Sequence, residues 1–191
     1  MSWTHSLFVA SKIRTAAPIA MSDGAGVVFV HGMFILLGMD PLVAPPSLKP
    51  GQLLARGVCR HLAALGFATV EELTPTRGLR VDVMALGQKG EIWVVECKSS
   101  RADFMSDRKW QGYLDWCDRY FWAVDTNFPT ELLPDGTGLI MADAYDAEIL
   151  RMGAEDKLAP ARRKAVIQGF AVHAARRLQA LRDPGLSVFS V

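Results

Sequence analysis

The chain has 191 residues and a mass of 20.9 kDa, the size of one compact domain. Half of the residues are hydrophobic, 21% are charged and the mean hydropathy is +0.16, which excludes a disordered or linker-like protein. The formal net charge of +1 hides an asymmetry: residues 151–182 hold eight Lys or Arg against two acids, a charge of +6, while the remainder carries −5.

The first fifty residues read differently from the rest. Residues 27–39 (VVFVHGMFILLGM) are apolar over thirteen positions, short of the roughly 20 needed to span a bilayer. The basic start, apolar run and small-residue cleavage site of a signal peptide are not found in that order. Residues 1–50 are therefore expected to be a variable or poorly ordered extension, with Met21, Met33 and Met39 as alternative starts and PLVAPPSLKP (41–50) as a Pro-rich linker. The domain proper is expected over 51–183, followed by a tail at 184–191. Cys59, Cys97 and Cys117 form no C-x-x-C pair and no metal-ligand spacing, which points away from a secreted disulfide scaffold or zinc finger and toward the reducing cytoplasm.

Along the domain, Leu54, Val58, Leu62 and Leu65 make a helical stripe over 52–65 that Gly66 stops. Residues 67–73 read as a strand, TPTRG (74–78) as a turn, and 80–86 and 92–98 as two more strands around the loop 87–91. A helix is expected over 102–118, begun by the capping pair Ser100 and Asp103. Trp110, Tyr113, Leu114 and Cys117 form its apolar stripe, and Asp103 and Asp107 share another of its faces. RYFWAV (119–124) is a fourth strand, 138–142 and 145–151 suggest a further pair, and a long helix covers 159–181 before Pro184 and Gly185. The order helix, three strands, helix, strand predicts an α/β fold with a mixed sheet of four or more strands flanked by helices.

The chemistry lies in the second and third strands. If Leu86 faces Ile92 across the loop, opposed residues have an index sum of 178, so Asp82 lies opposite Glu96. Two carboxylates so placed are about 4.5–5.5 Å apart at Cβ and repel each other. Lys98, two residues beyond Glu96, shares their face, while Val81, Val83, Val95 and Cys97 point the other way into the core. Buried charges demand pairing or a metal, and carboxylate oxygens with water suit Mg²⁺. A neighbouring lysine can orient water or stabilise charge growing on a phosphate.

The strings R-V-D-V and V-V-E-C-K-S-S resemble the PD-(D/E)xK nuclease superfamily. The longer string K-S-S-x-x-D-F-x-x-D-R-K-W-x-x-Y-x-x-x-C-D-x-Y-F-x-A-V, from Lys98 to Val124, is similar to the MmcB-type bacterial DNA repair proteins within it. The resemblance covers 52–181. It implies a restriction-endonuclease-like core (αβββαβ), Asp82 and Glu96 as ligands of Mg²⁺ or Mn²⁺ with the Cys97 carbonyl as a further ligand, and Lys98 as the catalytic lysine. The first helix lacks the acid that many relatives carry, which leaves Glu72 as a substitute, and Gln111 stands where some relatives have a glutamine facing the site. Val81 replaces the proline before Asp82.

The function expected is a metal-dependent DNA endonuclease in DNA repair, with attack on the phosphodiester by water activated at the cation. The alternative is a catalytically inactive nuclease-fold module that binds DNA or recruits other DNA repair proteins; a third reading is a metal hydrolase of another kind. Arg162 and Arg176, and Arg163 and Arg177, are each fourteen residues apart on the last helix, and form a ridge that would grip the phosphate backbone without reading sequence. Val166, Phe170, Ala174 and Leu178 would pack that helix on the domain. No membrane contact is expected.

Overall fold

The computed structural model describes residues 26–30, 33–37, 48–107 and 109–185. They belong to two units, residues 1–46 and 47–191. In the first, strands β1 (Gly26–Val30) and β2 (Met33–Leu37) pair antiparallel, so the described part of the apolar run is two paired strands. The rest of the expected extension and linker, and the tail from 186, lie outside the described residues.

The second unit opens with helix α1 (Pro50–Ala64). Proline at its start costs nothing because that N–H has no helical partner, and the Lys49 N–H donates to Gln52 Oε1 at 2.9 Å. The helix ends where Gly66 takes a φ of +86° and the Phe67 N–H returns to the Leu62 carbonyl at 2.9 Å, a left-handed stop that glycine adopts without penalty. Three strands follow, β3 (Ala68–Glu71), β4 (Val83–Leu86) and β5 (Ile92–Lys98). Then come the short helix α2 (Arg101–Ser106), a 3₁₀ helix (Trp110–Trp116), strands β6 (Arg119–Val124), β7 (Gly138–Ala142) and β8 (Ala147–Arg151), and helix α3 (Pro160–Arg182).

The six strands form one mixed sheet in the order β3-β4-β5-β6-β7-β8. Pairs β5/β6 and β6/β7 are parallel and the others antiparallel. Both faces are covered, so β4 and β5 are apolar on both sides of the pleat. Val83, Ala85, Val95, Cys97, Phe121 and Ala123 face α1, against Leu54, Val58 and Leu62. Met84, Val94, Tyr120, Trp122 and Val124 face the 3₁₀ helix and α3, whose Val166 and Phe170 are buried among them. Val58 and Leu62 are fully buried, worth about 1.5–3 kcal/mol each. The close approach of α1 to the β7–β8 turn depends on Gly57, where a Cβ would collide with the carbonyl oxygens of Asp143 and Asp146.

Three expectations need correction. The strand expected over 80–86 begins only at Val83, and Val81 packs in the layer of Met84 and Val94 rather than with Val83 and Val95. Glu72 explains the slip: its φ of +57° breaks the alternation opposite residues 81–82, where the Glu72 N–H reaches the Asp82 carbonyl and the Val81 N–H the Leu73 carbonyl. The helix expected over 102–118 is broken, because α2 ends at Ser106 and Asp107 turns extended with ψ 108°. In α3, Val166 and Phe170 pack as expected, but Leu178 is exposed, as are all the described residues from 175 on.

Both core layers draw on residues 54–170 among the described residues. Removal of residues 1–40 should therefore leave the melting temperature within about 2 °C of the full chain, less than the effect of 1 kcal/mol at this size. Calorimetry on the truncated protein checks this, and a larger loss would show the strand pair to be part of the same cooperative unit.

Candidate active site at the end of the sheet

The register β4/β5 pairs Val83 with Val95 and Leu86 with Ile92, the index sum of 178 expected from the loop. Asp82 stands just outside β4 and meets Glu96 in a crossed arrangement. The Asp82 N–H donates to Glu96 Oε1 at 3.1 Å, and the Cys97 N–H donates to Asp82 Oδ2 at 2.8 Å. Each carboxylate is thus held through one oxygen by the main chain of the other's strand. Behind them the pairs Val83–Val95 and Met84–Val94 are fully buried.

Lys98 ends β5 on the same face, only 6% exposed. Its Nζ lies 2.7 Å from Asp107 Oδ2 and 3.7 Å from Glu96 Oε2, and 5.7 Å from the centre of the Trp122 ring. The group opens into a cleft of about 620 Å³ whose other walls include Lys49 and Gln52 at the start of α1, Glu72 and Arg80 on the rim, and Tyr113. Tyr113 is fixed by its hydroxyl, which donates to the Arg80 carbonyl at 3.0 Å.

The electrostatics follow from burial and crowding. Burial, joined by the Asp82 charge, pushes the Glu96 carboxyl up from 4.5 to about 8. Burial also raises Asp82, against the opposing pull of the Cys97 N–H and Lys98. For Lys98, burial disfavours the charge, but the hydrogen bond to Asp107 and the charge of Glu96 outweigh it and leave the pKa raised. Lys98 is therefore a cation at neutral pH.

Other expected residues are placed less centrally. The Glu72 carboxylate sits 3.6 Å from Arg80 Nη1 in an exposed pair on the rim. Gln111 is exposed and does not line the cleft. A 3₁₀ helix has three residues per turn, so Trp110, Tyr113 and Trp116 share the inward side and Gln111 and Leu114 turn outward. Of the expected stripe, Trp110, Tyr113 and Cys117 are packed in the core and Leu114 is exposed. Among the described residues no group of three or more His, Cys, Asp or Glu side chains is placed to hold a metal unaided.

The arginine ridge is divided. Arg163 makes a two-pronged pair with Asp118 at 2.6 and 2.7 Å and also donates to the Gly90 carbonyl at 2.6 Å, so it serves the fold rather than an outside phosphate. Arg162 lies over the Trp116 ring at 5.1 Å and donates to the Asp115 carbonyl at 3.0 Å. Arg177 and His173 both meet the Glu71 carbonyl, at 2.8 and 3.0 Å, beside the cleft, and Arg176 is exposed. Two partners went unassigned in the sequence. Asp107 stood out as an acid four residues from Asp103 and as the second acid of the K-S-S-x-x-D-F-x-x-D string, without a partner, and Asp118 only as the acid after Cys117 in the C-D-x-Y-F string.

A six-stranded mixed sheet between helical layers, ending in a cleft that buries two carboxylates and an ammonium, defines an α/β protein with a preformed polar site at the sheet end. The model of the MmcB-like DNA repair protein family matches residues 48–185, and the chain belongs to that family. A protein of unknown function from Silicibacter pomeroyi is similar in structure, with 74% identity and a TM-score of 0.73 over 75% of this chain and 99% of that one. A repair endonuclease from Pyrococcus abyssi is also matched, with 17% identity and a TM-score of 0.37 over 53% of this chain and 50% of that one. No curated protein matches. No helix among the described residues is long and apolar enough to cross a membrane.

Proposed function

We propose that the protein hydrolyses DNA phosphodiester bonds with the aid of a divalent cation held by Asp82 and Glu96, as a PD-(D/E)xK nuclease acting in DNA repair. The observation that carries this reading is the crossed carboxylate pair with Lys98 beside it, opening into one cleft. The donor set fits the cation: hard oxygen ligands, buried and mutually repelling, whose proton-binding tendency a divalent ion would displace. Asp82 and Glu96 would supply carboxylate oxygens, the Cys97 carbonyl a third, and water the remainder. Such an ion, Mg²⁺ or Mn²⁺, acts as a Lewis acid on a phosphate and lowers the pKa of water.

The chain's own groups divide the remaining work. Lys98 is charged and hydrogen-bonded, so it does not take a proton; it orients water and stabilises charge that develops on the phosphate. The main-chain N–H groups of Asp82 and Cys97 keep both carboxylates from rotating away. Lys98→Met should leave folding and cation binding in place and lower the cleavage rate by about 100-fold, the usual scale for one electrostatic donor. Nicking of supercoiled plasmid, with calorimetric titration of Mn²⁺ in parallel, checks both halves, and equal cleavage by variant and wild type removes Lys98 from the mechanism.

A second reading, a non-catalytic module that binds DNA or other repair proteins, draws on the ion pair that already satisfies Lys98 and on the absence, among the described residues, of a three-acid metal cage. Metal-dependent cleavage that Glu96→Ala abolishes decides between them. In either case the α3 residues to test for phosphate contact are Arg176, which is exposed, and Arg177, which is exposed and meets Glu71 on the cleft wall. Arg176→Ala/Arg177→Ala should flatten the log–log dependence of DNA affinity on salt by about 1–2 units, at roughly 0.9 per phosphate contact. Fluorescence anisotropy across a salt series measures it, and an unchanged slope makes that face a solvated one.

A further inference from the structure

We propose that Asp107 is the positioning residue of Lys98: its carboxylate holds the ammonium away from Glu96 and at a fixed point over the cleft. The proposal rests on the hydrolase reading for its catalytic consequence, although the holding itself does not depend on it. Lys98 Nζ has two carboxylates in reach, and it sits nearer Asp107, at 2.7 Å, than Glu96, at 3.7 Å. The face of Trp122 closes a third side at 5.7 Å. A lysine side chain is a flexible four-carbon stem, so its position is set by what meets its end.

Asp107 is itself held at its other oxygen. Oδ1 accepts the Lys109 N–H at 2.9 Å, a local turn of the kind aspartate favours, while Oδ2 takes Lys98. The helix break exists at this residue: α2 stops at Ser106 and Asp107 leaves the helical region. Had the helix continued, the carboxylate would lie on the same face as Asp103, four residues earlier. The break costs helical hydrogen bonds and gains a rigid acid that faces the ammonium.

Loss of this acid leaves Glu96 as the carboxylate within 4 Å of Lys98, and the ammonium shifts toward it. A displacement on the order of 1 Å in a catalytic group can cost about 10²-fold in rate. Asparagine keeps the shape and offers one acceptor oxygen, which can serve Lys98 or the Lys109 N–H but not both, so Asp107→Asn should fall between wild type and Asp107→Ala.

The experiment measures two quantities on the full chain, for wild type, Asp107→Asn and Asp107→Ala. One is the kcat and KM of plasmid cleavage at saturating Mg²⁺. The other is the extent of reductive methylation of Lys98 under native conditions, read by peptide mass spectrometry against the exposed Lys89 and Lys164. The expected result for Asp107→Ala is a kcat lower by 10- to 100-fold with KM within twofold, and Lys98 labelling at least fivefold above wild type, with Asp107→Asn intermediate in both. Unchanged labelling in Asp107→Ala overturns the proposal, as does a rise in KM at constant kcat, which would make Asp107 a substrate contact. Raised labelling with no cleavage by wild type overturns the hydrolase reading and supports the holding of Lys98 by Asp107.

Discussion

Exchange of Glu96 for glutamine should abolish metal-dependent cleavage and, in the absence of divalent cations, raise the melting temperature at pH 8 by about 5–10 °C. The first half follows from loss of a ligand charge. The second follows from the cost of the carboxylate in the native fold. Burial and the neighbouring Asp82 move Glu96 from 4.5 to about 8. Below pH 4.5 both native and unfolded states hold the proton and the group is neutral to stability. Between 4.5 and 8 the unfolded chain releases a proton that the native state keeps, so native stability falls as pH rises and levels off above 8.

Glutamine removes that charge and retains an oxygen for the Asp82 N–H, which Glu96 now accepts at 3.1 Å. At about 1.4 kcal/mol per pKa unit, and with part of the gain lost where the amide faces Lys98, about 2–3 kcal/mol remains at pH 8; each is worth some 2–4 °C at this chain length. The advantage should fade toward pH 4.5. Saturating Mn²⁺ at 100 times its dissociation constant should stabilise wild type by about 2.7 kcal/mol and leave the variant unmoved, which reverses or cancels the ranking. Thermal unfolding from pH 4.5 to 8.5, with and without Mn²⁺, gives all of these values. A variant less stable than wild type at pH 8 in chelator would show that the Glu96 charge is already compensated inside the protein.

The parts of this site that could be read from the sequence are those governed by short-range periodicity. A five-residue loop between Leu86 and Ile92 and a side-chain period of two were enough to place Asp82 opposite Glu96 with Lys98 beside them, because strand pairing across a tight loop leaves little freedom. The same rule misplaced Val81, since it carries no signal for the left-handed Glu72 on the neighbouring strand. The helix over 102–118 failed for a related reason. Trp110, Tyr113 and Cys117 fit a 3.6-residue period while Trp110, Tyr113 and Trp116 fit a three-residue one, so the apolar spacing does not choose between them, and the contact made at the break, Lys98 to Asp107, lies nine residues back across the fold. The Arg163 guanidinium looked like part of an outward ridge because its partner, Asp118, lies 45 residues earlier, a separation that no local pattern reveals.

That distant pair carries the second large effect: Asp118→Ala should destabilise the protein by about 3–5 kcal/mol, a fall in melting temperature on the order of 10 °C. Asp118 is 4% exposed and all of its acceptor capacity is directed inward. Oδ2 takes the Ile92 N–H at 2.8 Å and Arg163 Nη1 at 2.7 Å; Oδ1 takes the Leu158 N–H at 2.9 Å and Arg163 Nη2 at 2.6 Å. One side chain thereby ties the start of β5, the segment before α3 and α3 itself. Its loss leaves two main-chain donors without partners and a largely enclosed guanidinium without a counter-charge, and an unmatched buried group costs more than the intact pair contributes. Burial alone would raise the Asp118 pKa, but Arg163 and the two N–H groups outweigh it and hold it below 3.8. The stabilisation is therefore present above pH 3.8 and is lost as the pH falls below that value through the native pKa. Arg163→Ala should cost less, because the carboxylate keeps both N–H donors, and the double variant should be less destabilised than the two single effects combined, since either change alone already breaks the pair. Arg163→Ala should also leave the salt dependence of DNA affinity as in wild type, in contrast to Arg176→Ala/Arg177→Ala. Urea unfolding of the three variants at pH 7 and pH 3 measures the coupling, and additive losses at pH 7 would show that Asp118 and Arg163 act separately.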